Sequence, residues 1–95
     1  GCIVADSARV LVLREADYPP VFYLPFEDID RALLHRSETT SHCPYKGHAS
    51  YFSVVLPDGK EVADALWTYE RPYEAVAEIA GHAAFYPDRV RISSI

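Results

Sequence analysis

The chain is 95 residues long, carries a formal net charge of −5, and is 49% hydrophobic, which is ordinary for a globular protein. This length predicts a single domain with a modest core, since a chain of this size buries only about two-thirds of its unfolded surface. The acidic balance argues against general nucleic-acid binding, which needs a basic surface. No apolar run approaches the ~20 residues of a membrane span, no signal-peptide pattern is visible, and two cysteines are too few for a disulfide framework, so we expect a cytoplasmic location.

The first third of the chain alternates short apolar segments with turn residues. Ala8 to Leu13 is rich in branched aliphatic residues, which predicts a strand buried on both faces. Two prolines place Glu15 to Pro20 in a loop, because proline is excluded from central strands. Val21 to Leu24 predicts a second strand. A helical turn is expected over Phe26 to Asp30, followed by a short strand over Ala32 to Leu34.

The segment from Thr39 to His48 brings together a thiol, an amine, two imidazoles and several hydroxyls. It has no hydrophobic period, which predicts a loop. Loops that carry reactive groups on a rigid scaffold often hold the function of a domain. We therefore expect the functional site to be centred on this segment.

The clearest hairpin spans Ser50 to Tyr69, with its turn at Pro57-Asp58-Gly59. Proline presets φ for the second turn position, and glycine accepts a positive φ. A two-residue turn would place Val55 opposite Val62, whereas a three-residue turn with a bulge would place Val54 opposite Val62. We favour the three-residue turn, because proline suits the second position of a type I turn.

The last part of the chain predicts one helix and two strands. Apolar residues at i, i+3 and i+4 predict a short helix from Tyr73 to Ala80, ended by Gly81. Strands are expected at His82 to Tyr86 and at Arg89 to Ser94. The total is seven to eight short strands and one short helix, so the predicted fold is mainly β: a small curled antiparallel sheet or barrel.

Short motifs distributed over nearly the whole chain carry a family resemblance. They are Val4-Ala5-Asp6-Ser7, Leu13-Arg14-Glu15, Tyr18-Pro19-Pro20, Tyr23-Leu24-Pro25, Cys43-Pro44-Tyr45-Lys46-Gly47, Ala49-Ser50-Tyr51-Phe52, Trp67 with Tyr69, and Ala77-Glu78-Ile79-Ala80-Gly81 before Phe85-Tyr86-Pro87-Asp88. With these motifs the chain resembles the bacterial and fungal domain of unknown function family 427, which is also labelled nucleotidyltransferase-like. The resemblance implies a compact, mainly β domain, a bacterial origin and no established activity.

The nucleotidyltransferase label can be compared with the residues present. Such enzymes need carboxylates that bind two metal ions beside a Gly-Ser turn. Asp28-Ile29-Asp30 supplies a carboxylate pair at a short spacing, but no Gly-Ser precedes it and no third acidic partner is evident. We therefore do not expect this chemistry.

Cys43 is a candidate nucleophile. It follows His42 and lies three residues before Lys46, and a neighbouring cation favours the nucleophilic thiolate. In a Cys-dependent enzyme Cys43 and His42 are the candidate catalytic residues, with His42 or His48 acting as the base. The alternative is a structural cysteine that packs as a small hydrophobic residue.

His42, Cys43 and His48 are also residue types that bind zinc. A structural zinc site takes four ligands, usually in paired short spacings. Adjacent residues such as His42 and Cys43 point in different directions, and the chain has no Cys-x-x-Cys pair. We therefore expect no metal site and no cofactor.

Aromatic side chains could form the wall of a ligand pocket. The set is Tyr23, Tyr45, Tyr51, Trp67, Tyr69 and Tyr86. Trp67 and Tyr69 share one strand face where the hairpin ends, and we expect the Cys43–Gly47 loop to pack against that end. The leading hypothesis is a pocket for a small anionic or partly aromatic ligand, formed by Cys43, Tyr45, Lys46, Trp67 and Tyr69.

Within this pocket Lys46 would meet the negative charge, while Trp67 and Tyr69 would provide stacking surface. The alternatives are a Cys43-dependent enzyme and a protein-interaction module that has no pocket. The expected partner is a small-molecule ligand, with no nucleic acid and no membrane, and the oligomeric state is left open between a monomer and a homodimer.

Overall fold

The computed structural model describes residues 3–14 and 19–90, which form one six-stranded antiparallel sheet. The strands are β1 (Leu11–Leu13), β2 (Val21–Pro25), β3 (Leu34–Cys43), β4 (Gly47–Val55), β5 (Glu61–Thr68) and β6 (His82–Phe85). Three 3₁₀ segments accompany them, at Phe26–Asp28, Arg31–Leu33 and Glu74–Ile79. Within the described ranges no helix is long and apolar enough to cross a membrane.

The strand order in the sheet is β1-β2-β6-β5-β4-β3. Strands β3, β4 and β5 each pair with the next strand in the chain, and the β1–β2 pair attaches to β6 through β2. The mainly β, antiparallel prediction is confirmed. The barrel alternative and the count of seven to eight strands are wrong for the described residues, because the sheet stays open, with β1 and β3 as its edges.

Two of the predicted strands do not form as expected in the described residues. Ala32 and Leu33 lie in a 3₁₀ turn, and only Leu34 belongs to a strand. Arg89 and Val90 lie in the turn and bend that follow β6, and the rest of the strand predicted there falls outside the described residues.

The β4–β5 hairpin confirms the predicted turn and register. Val54 pairs with Val62. The Leu56 N–H donates to Lys60 O at 2.8 Å, and the Gly59 N–H donates to Leu56 O at 2.9 Å. Gly59 has φ +90°, the left-handed conformation that glycine adopts without a steric cost.

The prediction of a loop from Thr39 to His48 is wrong. The segment forms the end of β3 and the start of β4, and only Pro44, Tyr45 and Lys46 lie in the turn between them. Strand β3 is an edge strand whose residues are exposed on both faces over most of its length. A strand exposed on both faces needs no hydrophobic alternation, so its sequence carries no period.

The predicted α-helix from Tyr73 to Ala80 is also wrong. The chain forms 3₁₀ turns over Glu74–Ile79, with Val76 at φ −128° and ψ 31°, outside helical geometry. Its bonds run from i+3 to i, as in the Ala80 N–H to Ala77 O bond of 3.1 Å. Gly81 ends the segment at φ +74°, as expected.

The sheet separates two hydrophobic clusters. One contains Ile29, Val54, Leu66, Ala83 and Phe85, and the other contains Tyr23, Ala49, Tyr69, Ile79 and Ala84. Adjacent strand residues such as Ala83 and Ala84 fall in different clusters because successive side chains point to opposite faces. The strand predicted over Ala8 to Leu13 is shorter than expected and lies at an edge, where Val12 is 46% exposed.

Candidate functional site

The Cys43–Gly47 turn is anchored to the chain that follows β5. The Lys46 N–H donates to Cys43 O at 3.3 Å, and Lys46 O accepts from the Tyr73 N–H at 3.0 Å. Gly47 has φ +111°, and a Cβ atom there would lie 3.3 Å from Arg71 O. The turn therefore fits closely against the segment that extends β5.

The five residues predicted to form a pocket occupy different environments. Cys43 is half-buried and packs against the cluster that contains Tyr69, which is only 7% exposed. Trp67 packs against the same cluster and is half-buried. Lys46 is half-buried in the turn, whereas Tyr45 is 75% exposed at its tip. The structure thus brings Cys43, Trp67 and Tyr69 together and leaves Tyr45 in solvent.

The Cys43 thiol is separated from both candidate bases. His42 precedes Cys43 in β3, so the two side chains point to opposite faces of the strand. His48 lies directly opposite His42 across the strand pair and shares its face. Neither imidazole is therefore placed on the side of the sheet where Cys43 packs.

An aromatic face forms beside Cys43, and we define it by Tyr23, Tyr51, Trp67, Tyr69 and Tyr86. Tyr51 pairs with Trp67, Trp67 with Ala84, and Ala84 with Tyr23, so that one row crosses four strands. The small Ala84 between Trp67 and Tyr23 lets the two rings meet edge to face, with 6.5 Å between centroids. The Tyr86 ring also packs against Trp67, with 4.5 Å between the ring centroids.

Hydroxyl groups border the aromatic face on the β3 side. The Ser41 hydroxyl lies 2.9 Å from the Tyr51 hydroxyl, with which it forms a hydrogen bond. Burial raises the pKa of Tyr86 to about 12, and a hydrogen bond to Tyr51 adds to the effect. Tyr86 is therefore a neutral phenol at physiological pH and can donate a hydrogen bond.

Asp64 supplies a carboxylate near the same border. Its backbone has φ +47°, a conformation that non-glycine residues rarely adopt, at a register shift of the β4–β5 pair. Hydrogen bonds from Ser37 and Thr39 lower the pKa of Asp64, and the Thr39 bond measures 2.8 Å. The Asp64 charge also raises the pKa of Tyr86, by less than burial and Tyr51 do.

Sequence reasoning placed Asp64 in no site, and it included Ser41 in the expected functional segment without giving it a role. The available signal for Asp64 was its position inside a predicted strand, where aspartate is disfavoured. Ser41 carried no such signal, because hydroxyl residues are common on exposed strands. Tyr23, Tyr51 and Tyr86 belonged to the predicted aromatic set but not to the predicted pocket.

Two shallow grooves of about 570 and 260 Å³ lie beside the other cluster and share Phe26, Arg31 and Gly81. The Arg31 guanidinium lies 5.4 Å from the centre of the Phe26 ring. The Arg36 guanidinium lies 5.6 Å from the centre of the Phe52 ring. It also forms an ion pair with Glu70 at 2.6 Å. Cation–π contacts of this kind stabilise packing and by themselves indicate no ligand.

Asp28 and Asp30 each accept hydrogen bonds from nearby groups of the chain. Asp28 accepts hydrogen bonds from Ser7 and Arg9. Both lower the pKa of Asp28, and the Ser7 bond has the larger effect. Asp30 caps the following turn by accepting from the Ala32 N–H at 3.2 Å. Across the described parts of the chain, no three His, Cys, Asp or Glu side chains are grouped so as to hold a metal ion.

Comparison with known families agrees with the resemblance seen in the motifs. The family described as a domain of unknown function (DUF427) matches residues 1–94. The chain belongs to this family. No curated protein matches it. Motifs of this DUF427 chain that are far apart in sequence meet at the aromatic face: Tyr23, Cys43, Ala49, Tyr51, Trp67 and Tyr69 all pack in one cluster.

Proposed function

We propose that this DUF427 domain binds a small anionic or partly aromatic ligand against the aromatic face, next to the Cys43–Gly47 turn. The observation that carries the proposal is the setting of Trp67. Its ring is contacted by Tyr23 and Tyr86, yet the side chain keeps part of its surface in solvent. A rigid, partly open indole supports stacking by a flat ring at a low entropic cost.

Polar groups at the two ends of the face give the ligand an orientation. At one end, Lys46 carries a positive charge on the turn that packs against this face. At the other end, the ionised Asp64 carboxylate repels anions and accepts hydrogen bonds. An anionic group would therefore point to Lys46, while hydroxyl or amino groups would point to Asp64.

One observation favours the interaction module as a second candidate. Tyr45 is 75% exposed at the tip of the turn, and tyrosine is enriched where proteins bind one another. The Cys43-dependent enzyme lacks a comparable observation, since the thiol packs away from His42 and His48. A cytoplasmic location and a bacterial origin stay predictions.

The ligand proposal can be tested through the fluorescence of Trp67, the single tryptophan of the chain. The probes are aromatic carboxylates and nucleoside monophosphates, titrated into the wild type and into Lys46→Ala, with Lys60→Ala as the matched control. Lys60 is exposed in the β4–β5 turn. We expect a probe that quenches Trp67 emission and binds about tenfold more weakly to Lys46→Ala, as loss of one charged contact predicts.

Tyr86→Phe supplies a second arm, because it keeps the ring and removes the phenol hydroxyl. We expect weaker binding of the same probe with little change in the emission of the free protein. The proposal fails if no probe changes Trp67 emission, or if Lys46→Ala and Lys60→Ala weaken binding equally. A surface that binds through Tyr45 alone would leave all of these titrations flat.

A further inference from the structure

Two imidazoles face each other across the β3–β4 strand pair. His42 pairs directly with His48, and the ring centroids lie 4.7 Å apart with an angle of 46° between the planes. Both side chains are exposed to solvent. Directly opposite strand residues project to the same side, so the rings share one small volume of solvent.

This spacing suits a single metal ion. An imidazole nitrogen binds Zn²⁺ at ~2.0–2.1 Å, so two nitrogens on one tetrahedral ion stand about 3 Å apart. Ring centroids 4.7 Å apart place the two imidazoles close enough for one nitrogen of each to bind a shared ion.

Tyr73 holds one of the two rings. Its hydroxyl lies 3.0 Å from His42 Nε2, with which it forms a hydrogen bond, and its own N–H donates to Lys46 O at 3.0 Å. The backbone of Tyr73 is thus anchored to the turn. In metal sites a hydrogen bond on one imidazole nitrogen orients the ring and leaves the other nitrogen for the metal. For His42 that nitrogen is Nδ1.

We propose that His42 and His48 form a two-nitrogen site for a divalent transition metal ion, with Tyr73 as the positioning residue. Neutral nitrogen donors select Zn²⁺, Ni²⁺ or Cu²⁺ over Mg²⁺ and Ca²⁺, which prefer oxygen. Since no third His, Cys, Asp or Glu joins the pair within the described residues, water fills the remaining positions. The ion exchanges readily and keeps positions open for an outside ligand.

The site is independent of the ligand proposed for the aromatic face. Cys43, which borders that face, points away from His42, and the metal would lie on the opposite side of β3. Failure of either proposal therefore leaves the other standing.

The test is a calorimetric titration of Zn²⁺ into reduced protein that carries no histidine tag. We expect one ion per chain, and the His42→Ala and His48→Ala variants should each weaken binding by more than tenfold. His35→Ala is the matched control, since His35 is an exposed histidine of the same strand. Tyr73→Phe should weaken binding by about tenfold, the usual effect of removing a group that orients a ligand.

Imidazole proton resonances supply a second readout, in which Zn²⁺ should shift the signals of His42 and His48 and spare His35 and His82. Thermal unfolding without metal checks each variant, and we expect midpoints close to the wild type because the side chains are exposed. Wild-type affinity in His42→Ala overturns the proposal. Equal losses in His35→Ala and His42→Ala also overturn it, as does loss of binding in Cys43→Ser with both histidines intact.

Discussion

Gly47 and Gly59 occupy the two turns of the β3–β4–β5 meander, yet they tolerate a side chain differently. Both have a positive φ, +111° and +90°, so alanine costs about 1–2 kcal/mol at either position. A Cβ at Gly47 would also meet Arg71 O at 3.3 Å and the Tyr73 ring at 3.7 Å, whereas a Cβ at Gly59 meets nothing within 4 Å. Gly47→Ala should therefore lose more stability than Gly59→Ala.

Urea unfolding of the two variants measures this difference directly. If both variants lose the same stability, backbone strain alone determines the cost of alanine at both positions. The close fit between the turn and the chain after β5 would then not contribute to stability. A larger loss in Gly59→Ala would contradict the geometry.

The pKa of Tyr86 predicts a dependence of stability on alkaline pH. It is raised to about 12 in the folded protein, from ~10 in an unfolded chain. The neutral phenol is therefore favoured by folding, and this contribution is complete below pH ~10 and is lost as pH rises toward 12. Over that range the unfolding free energy of the wild type should fall relative to that of Tyr86→Phe.

Ultraviolet absorbance gives an independent check, because phenolate ionisation is visible. The wild type should show a late phenol ionisation that is absent from Tyr86→Phe and present in Tyr45→Phe, the exposed control. If Tyr86 instead ionises near pH 10, burial and the Tyr51 hydrogen bond do not raise its pKa, and the prediction is wrong.

At the scale of elements, the β3–β4 hairpin determines how Cys43 can react. Its side chain is half-buried and packs against the cluster that contains Ala49, Tyr69 and Ile79. Reactive cysteines occupy exposed, electropositive surroundings, whereas a thiol packed among apolar groups is inert. Iodoacetamide should therefore alkylate Cys43 slowly at pH 7 in the folded protein and quickly in urea.

A Cys2→Ser background leaves Cys43 as the single thiol, and mass spectrometry follows its alkylation. Lys46→Ala should leave the rate unchanged. Rapid alkylation of the folded protein that slows in Lys46→Ala would instead restore Cys43 as an activated nucleophile.

The same elements show what the sequence could and could not predict. The β4–β5 hairpin was predicted to its register, because Pro57 and Gly59 impose local backbone geometry that needs no tertiary context. Strand β3 was missed, because an edge strand exposed on both faces has no hydrophobic period. The Tyr73–Ala80 segment has helical spacing, yet tertiary packing buries only Ile79 and distorts Val76.

The candidate site was predicted in part for similar reasons. Trp67 and Tyr69 were found because alternation within one strand places them on one face. Ser41 lay in the expected segment, but its contact with Tyr51 was not predicted because that contact depends on which strand lies beside β4. The positive φ of Asp64 occurs at a register shift between β4 and β5. The residue pattern of a single strand does not predict such a shift.

At the scale of the whole molecule, the two faces of the sheet should respond separately to cavities. Leu66 and Ile79 are 0% and 1% exposed and belong to different clusters. Substitution of either by alanine should cost about 2–5 kcal/mol. Only Ile79→Ala should change the emission of Trp67, because Ile79 packs in the cluster that Trp67 joins.

Denaturant unfolding and Trp67 fluorescence of the two folded variants test this expectation. Val55→Ala, at a position 38% exposed, is the control and should lose much less stability. An emission shift in Leu66→Ala equal to that in Ile79→Ala would mean that the sheet does not isolate its two faces.

The strand order also determines how the protein is completed during synthesis. Tyr23 in β2 is made well before Ala84 in β6, with which it pairs. Sequential pairing can assemble β3, β4 and β5 as each leaves the ribosome, at about 5–20 residues per second. Until β6 is made, the β1–β2 pair keeps its apolar residues uncovered. A nascent chain that stalls before His82 lacks the strand with which β2 pairs.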